Sequence, residues 1–492
     1  MLGTETLYTA GQSRALDQCA IEKHGIAGVT LMARAAAVAF RYLLELWPET
    51  DAITVFCGTG NNGGDGYLLA DLAHKRGIGA TVVQLGDSSK ITGDALLARE
   101  QAMANGVPVC SFDAHQMPID GVLVDAMLGT GLGGTLRGEY PAVISTINSS
   151  HLPVLAIDIP SGICSDTGRV LGGAVRADLT VTFIGLKRGL FTFEAPEYTG
   201  AVQFADLGVP ASVYQSTGGN CARLDLAALL ERLPARALTT HKGHCGTVLV
   251  VGGDYGMAGA AAMAAEAALR CGAGLVSVAT RPEHVAPLVA RAPEAMPRGV
   301  SSDEEFTPLL EAADVLVAGP GLGDSAWSRQ LLHRSLASGK PALLDADALT
   351  MRAKGVVEDP GAGPRIMTPH PGEAARLLGT TAAAVQADRF AAIEELQARY
   401  SATVVLKGNG SLIADREQTL LCDYGNPGMA SGGMGDVLSG VIGSLWAQGL
   451  TTIEAAALGT CLHGAAADIA AEEGQRGLLA TDLLPRLRAL LG

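Results

Sequence analysis

ITVFCGTGNNGGDG, residues Ile53 to Gly66, holds a strand, a turn and the start of a helix in one short run. Ile53–Gly58 is a short apolar segment, the glycines allow a sharp turn, and a helical stretch follows to about Lys75. An apolar strand feeding a glycine turn and a helix is the repeating unit of a parallel sheet covered on both faces. Working outward, ATVVQLG (Ala80–Gly86), GVLVDA (Gly121–Ala126), PVLAIDI (Pro153–Ile159), LTVTFIG (Leu179–Gly185) and AVQFADLG (Ala201–Gly208) supply further strands. After the polar stretch Pro210–Asn220 the pattern restarts. GTVLVVGG (Gly246–Gly253) leads into a helix rich in small residues, and AGLVSVAT, ADVLVAGP, PALLDAD, TVVLKG and SLIAD follow. At 492 residues the chain exceeds one ordinary core. The sequence predicts two tandem α/β domains, residues 1–218 and 224–492, the first a Rossmann-like parallel sheet.

Composition narrows the class. Aromatics are only 4% against 48% hydrophobic residues, so the cores must be built from Ala, Val, Leu and Ile. The 63 glycines exceed the usual ~7% and sit in clusters at strand ends, as tight βα turns require. A net charge of −15 without any basic stripe argues against nucleic-acid binding. Nine dispersed cysteines, with no CxxC and no zinc-type spacing, read as reduced thiols of a cytoplasmic protein. The opening MLGTETLYTAGQSR lacks the basic start and apolar region of a signal peptide. Gly28–Trp47 and Gly256–Ala279 are apolar, but Arg34, Arg41, Glu266 and Arg270 interrupt them. Both are expected to be helices of a soluble protein, and no membrane span is expected.

Open α/β sheets bind ligands beyond the carboxyl ends of their strands. In the first domain Gly58-x-Gly60-x-x-Gly63 matches the dinucleotide fingerprint, though a plain tight turn would look alike. Asn61, Asn62 and Asp65 put side-chain oxygens where a pyrophosphate needs bare N–H groups, and suit a hydroxyl, an amide or a cation better. Asp125 and Asp158 each end a buried apolar strand, an unfavourable place for a carboxylate without a task. Asp178 reads as a turn or cap residue. Asn62, Asp125 and Ser161 together offer oxygen ligands for one hard monovalent or divalent cation, leaving Asp158 for acid–base work.

In the second domain NPGMASGGMGDVLSG (Asn426–Gly440) crowds five glycines around Asp436 ahead of an apolar run. A helix N-terminus presents unpaired N–H groups and partial positive charge, and glycines let an anion approach them. Asp436 beside such a cradle can take a proton from a hydroxyl that attacks a phosphoryl group. Lys407-Gly-Asn-Gly-Ser411 after strand TVVL reads as a nucleotide-phosphate loop. Gly319–Gly323 (GPGLG), His370 with Glu373 in TPHPGE, and the glycine turn Gly252–Ala260 are further candidates for ligand contact.

These motifs carry a resemblance. GTGNNGGDG, DAMLGTGLGG and DIPSG resemble the NAD(P)H-hydrate epimerase family. HKGHCGTVLVVGG, GPGLG, TPHPGE, VVLKG and NPGMASGGMGDVLSG resemble the ADP-dependent NAD(P)H-hydrate dehydratase family, which is ribokinase-like. The tandem resembles the bifunctional NAD(P)H-hydrate repair enzymes over nearly the whole chain. The resemblance implies repair of reduced nicotinamide cofactors hydrated at C6. The first domain would interconvert the R and S epimers. The second would dehydrate the S form with ADP and Mg²⁺, giving AMP and phosphate. It implies a K⁺ ion on Asn62, Asp125 and Ser161. Substrate contacts would come from Asn61, Asn62, Gly63, Gly64, Asp65, Gly129, Thr130, Gly131, Leu132, Gly133, Gly134, Thr135 and Asp158. In the second domain Ala260, Gly321, His370 and Asp436 would contact the hydrate. Lys407, Gly408, Asn409, Gly410, Ser411 and Gly435 would hold the nucleotide. Expected partners are NADH hydrate, NADPH hydrate, ADP and further copies of the chain as a homo-oligomer.

The chain departs from the pattern in two places. LMARAA (Leu31–Ala36) stands where the epimerase family usually carries an acidic residue and a glycine, and His244 and Cys245 stand where bulkier residues are expected. Three other readings stay open on the residues alone: a ribokinase-like kinase of a vitamin alcohol or sugar, a dehydrogenase using the GxGxxG, and a first domain that only binds or assembles.

Overall fold

The computed structural model of the protein describes Leu2 and residues 5–113, 119–361 and 363–492. Thr6–Gly219 forms one compact unit; Asn220–Gly492, with the first residues of the chain, forms the other.

The N-terminal unit is a seven-stranded, all-parallel sheet. Its spatial order is Val109–Ser111, Gly79–Gln84, Ala52–Cys57, Val122–Ala126, Val154–Ile157, Leu179–Phe183 and Ala201–Ala205. Alternate residues of one strand enter opposite layers. Val55 and Cys57 pack with the helices Gly28–Leu46 and Asn61–Lys75, while Phe56 joins the layer of helix Tyr140–Ser149. Chain direction across the sheet reverses between Ala52–Cys57 and Val122–Ala126, which opens a crevice at their carboxyl ends. Glycines make the close approaches there. A Cβ on Gly58 would lie 1.9 Å from the Met127 carbonyl oxygen, and one on Gly63 would lie 2.1 Å from that of Gly58. Gly58 and Gly63 of the fingerprint thus serve loop and helix packing.

In the C-terminal unit the sheet runs Cys221–Arg223, Thr419–Cys422, Ser411–Ala414, Thr403–Leu406, Arg365–Met367, Ala342–Leu344, Val315–Ala318, Thr247–Val251, Leu275–Thr280 and Met296–Gly299. It is parallel from Thr403–Leu406 to Met296–Gly299, and Ser411–Ala414 and Thr419–Cys422 extend it as an antiparallel hairpin. Helix Met434–Ala447 is buried nearly all round, packed on helices Ala258–Arg270 and Thr452–Ala471. A Cβ on Gly440 would lie 2.1 Å from the Ala264 carbonyl oxygen. That contact explains the small residues of Ala258–Arg270, which let the two backbones meet.

One expectation needs correcting. Gly256–Ala279 is not one helix. It is helix Ala258–Arg270 followed by strand Leu275–Thr280, separated at Gly272, whose φ of 97° ends the helix. Gly28–Leu46 is helical as expected. No helix among the described residues is long and apolar enough to cross a membrane.

Candidate active sites

In the N-terminal unit the sequence-predicted residues meet in the crevice where the strand order reverses. Asn61, Asn62, Gly63 and Gly64 form the first turn of helix Asn61–Lys75, with Asp65 next and Gly60 at the N-cap. Asn62 is 9% exposed, yet neither atom of its amide has a hydrogen-bond partner among the described residues. The loop after Val122–Ala126 brings Gly129 to the same point. A Cβ there would sit 3.4 Å from Asn62 Cβ and 3.4 Å from Asp158 Oδ2. Thr130 to Thr135 continue as a largely exposed rim. Met32, from the divergent LMARAA segment, packs under the helix start: a Cβ on Gly64 would meet its sulfur at 2.7 Å.

Asp158 follows strand Val154–Ile157 with φ at 69°, a region that non-glycine residues rarely occupy. Its N–H donates to Val181 O at 2.7 Å, and its Oδ1 is ion-paired with Lys187. Asp125 is completely buried. It accepts from Ser161 N at 2.7 Å, Ser161 Oγ at 2.6 Å and Met127 N at 3.2 Å, and Ser161 Oγ in turn accepts from Leu128 N at 2.9 Å. Burial pushes the Asp125 carboxyl up to about 6 against those hydrogen bonds. A buried carboxylate with only neutral donors and an orphaned buried amide offer oxygens that a hard cation could use. Burial also drives the Asp65 carboxyl well up, with Asp158 and Asp17 adding to it. Asp178 accepts from Val154 N at 2.8 Å and ties two strands together, in keeping with the structural reading of that residue.

In the C-terminal unit Gly433, at φ 93°, caps helix Met434–Ala447, and Asp436 is its third residue. Lys407 reaches this point from the end of Thr403–Leu406. Its Nζ donates to Asp345 Oδ1 at 2.8 Å and lies 3.8 Å from Glu373 Oε2. Asp345 Oδ2 accepts from Ser439 Oγ at 2.9 Å. Burial lowers the Lys407 pKa, but Asp345 and Glu373 outweigh it and the net shift is upward. Asp436 is pushed up to about 7, first by burial and then by Asp345, with Lys407 opposing. A Cβ on Gly435 would lie 3.3 Å from Lys407 Nζ and 3.4 Å from Asp345 Oδ2, so this glycine keeps the space beside the ion pair open.

Of the other predicted residues, His370 stands near this group through Glu373. His370 caps helix Pro371–Leu378: its Nδ1 accepts from Gly372 N at 3.0 Å, and its Nε2 lies 3.4 Å from Glu373 Oε1. Burial, Lys407 and Arg376 all hold its pKa down. Gly321 has φ 57°, and a Cβ on it would meet Ala260 Cβ at 3.0 Å, so these two pack on each other beside Met257. The same GPGLG loop is fastened to the site, since Gly323 N donates to Asp347 Oδ2 at 2.7 Å. The loop Lys407–Ser411 is held from behind by the fully buried Arg389, which donates to Leu406 O at 3.1 Å and Gly410 O at 3.2 Å. Ser411 Oγ donates to Gly408 O at 3.0 Å, and Asn409 stands exposed at the tip.

Sequence reasoning missed Asp345, Ser439 and Arg389, and gave Lys187 no role. Asp345 ends the apolar strand PALLD, the same signal that singled out Asp125 and Asp158.

A family model described as NAD(P)H-hydrate dehydratase matches residues 248–488, and one described as YjeF-related protein N-terminus matches residues 28–189. A Coxiella burnetii protein named bifunctional NAD(P)H-hydrate repair enzyme is 49% identical over 488 residues, 99% of each chain. The chain belongs to the bifunctional NAD(P)H-hydrate repair enzyme family. Its Escherichia coli relative of the same name is 42% identical across 99% of this chain and 94% of its own. The family's C-terminal fold has a solved counterpart in a ribokinase-like superfamily protein from Enterococcus faecalis. That structure is 32% identical, with a TM-score of 0.52 over 55% of this chain and 95% of its own.

Proposed function

We propose that the chain repairs hydrated NADH and NADPH in two steps. The N-terminal unit interconverts the R and S hydrates, and the C-terminal unit dehydrates the S form at the expense of ADP, releasing AMP and phosphate. Family membership supports both activities. The observation that carries the second is Asp436, a carboxylate at a helix N-terminus whose proton is held near neutrality.

In the C-terminal unit a hydroxyl is a poor leaving group, and its phosphate ester is a good one. Asp436 takes the proton of the substrate hydroxyl as that oxygen attacks the terminal phosphorus of ADP and AMP leaves; the phosphate then departs from C6 as the ring gives up a proton and the double bond is restored. The first N–H groups of Met434–Ala447 and the Lys407 ammonium face the charge that develops on the phosphoryl oxygens. Gly435 leaves the space in which those oxygens lie. Lys407, Gly408, Asn409, Gly410 and Ser411 hold the nucleotide, and Ala260, Gly321 and His370 the hydrate. Asp345 has both oxygens committed to Lys407 and Ser439, so it offers no protein cage for a divalent ion. Mg²⁺ fits here as the companion of the nucleotide phosphates.

In the N-terminal unit Asp158 is the acid–base group. Asn61 to Asp65 and Gly129 to Thr135 contact the hydrate from two sides. Asn62, Asp125 and Ser161 hold K⁺, which supplies a fixed positive charge to a site otherwise rich in carboxylates. Nine free cysteines fit a cytoplasmic setting. A homo-oligomer is the expected assembly and is read by mass in solution.

The test is recovery of reduced-nicotinamide absorbance from mixed R and S hydrates with ADP, Mg²⁺ and K⁺. Complete recovery, faster than spontaneous epimerisation, is expected. Recovery that stops at the S fraction contradicts the first activity. A stable phosphorylated product contradicts the second.

A further inference from the structure

Lys187 lies just after strand Leu179–Phe183 and is 2% exposed. A buried ammonium is tolerated only when it is fully paired. Its Nζ donates to Thr182 Oγ1 at 3.0 Å and to Phe183 O at 3.0 Å, and is ion-paired with Asp158 Oδ1. An ammonium has three protons, and all three are spent on these partners. None is left for a substrate. Asp158 is fixed in two ways: its backbone, at φ 69°, is tied to Val181 O, and its Oδ1 to Lys187. Its other oxygen, Oδ2, is the one that faces Gly129, beside the orphaned amide of Asn62.

We propose that Lys187 is the positioning residue of the first site: by holding Oδ1 it turns Oδ2 of Asp158 toward the substrate. The inference rests on the reading of Asp158 as the acid–base group. Two more carboxylates face the same lysine, Asp17 from helix Ala10–Glu22 and Asp65 from helix Asn61–Lys75. Lys187 is therefore the counter-charge among these acids, and removing it leaves them facing one another without a cation.

The experiment uses the full chain with K187M, D158N and the double variant. Conversion of R to S hydrate is followed by chromatography without ADP, across pH. Dehydration of the S hydrate with ADP, by the same preparations, reports folded protein. K187M is expected to lower kcat of epimerisation about 100-fold with little change in KM, and to move the acid limb of the pH profile upward. The double variant is expected to lie close to D158N, because the lysine acts on the chemistry through that carboxylate. A K187M enzyme with the wild-type rate and pH limb, beside an inactive D158N, overturns the inference and leaves the reading of Asp158 standing. A fully active D158N overturns that reading itself. Should K187M not fold, T182V removes one holding partner. A several-fold fall in kcat with the same upward shift is then expected, and an unchanged profile counts against the inference.

Discussion

Both units place a lysine against a carboxylate at the end of a strand, but they use the pair differently. In the first, Lys187 binds Asp158, the residue assigned to the chemistry. In the second, Lys407 binds Asp345, and Asp436 stands beside the pair without that partner, its proton held until about pH 7. A base clamped to a cation is fixed in place. A base left next to a like charge is a stronger proton acceptor and is sensitive to pH. The difference suits the two tasks. The proposed phosphoryl transfer would draw positive charge from a helix N-terminus, a lysine and Mg²⁺, which leaves a base to be supplied.

The sharpest way to break this comparison is D436N. It is expected to lower ADP-dependent dehydration about 1,000-fold and leave R–S interconversion unchanged, as measured on separate epimers. Loss of both activities would mean the variant damages more than one base. Next is D345N, which leaves Lys407 buried without its closest anion. A loss of about 3 kcal/mol is expected for the C-terminal unit in denaturant unfolding, together with a dehydration rate about 100-fold lower.

A subtler contrast lies in stability. Asp436 has a folded-state pKa above its unfolded value, so its favourable contribution is present in acid and is lost as pH rises through about 7. D436N should therefore melt higher than the wild type at pH 8, by the equivalent of about 1 kcal/mol, and the gap should close toward pH 5. The smallest effects come from added methyl groups. G435A and G129A each place a Cβ more than 3 Å from the nearest polar atom of its site, and each should slow only its own reaction, about tenfold, with little change in melting.

The strand–turn–helix grammar was legible because period and glycine placement are local. So was the start of helix Met434–Ala447, since the run from Ser431 to Asp436 is longer than a cap needs. The ion pairs were not legible. Asp345 and Lys407 are 62 residues apart and meet only because Arg365–Met367 pairs with both Ala342–Leu344 and Thr403–Leu406. Arg389, which no local signal in the sequence singles out, is the buried post beneath the Lys407–Ser411 loop. Not all glycines near the sites are for ligands. Gly440 is set by its approach to Ala264, and Gly58 by its approach to Met127; both look like site glycines until the tertiary contacts are known.

The central claim is that Asp436 is the base of the second site. The measurement that tests it most directly is kcat/KM for dehydration of the S hydrate with ADP between pH 5.5 and 8.5, a span of ~3 units chosen to bracket the Asp436 pKa. The account predicts a single rising limb, about tenfold per unit in acid, that levels off above about pH 7. A flat profile across that range would contradict it.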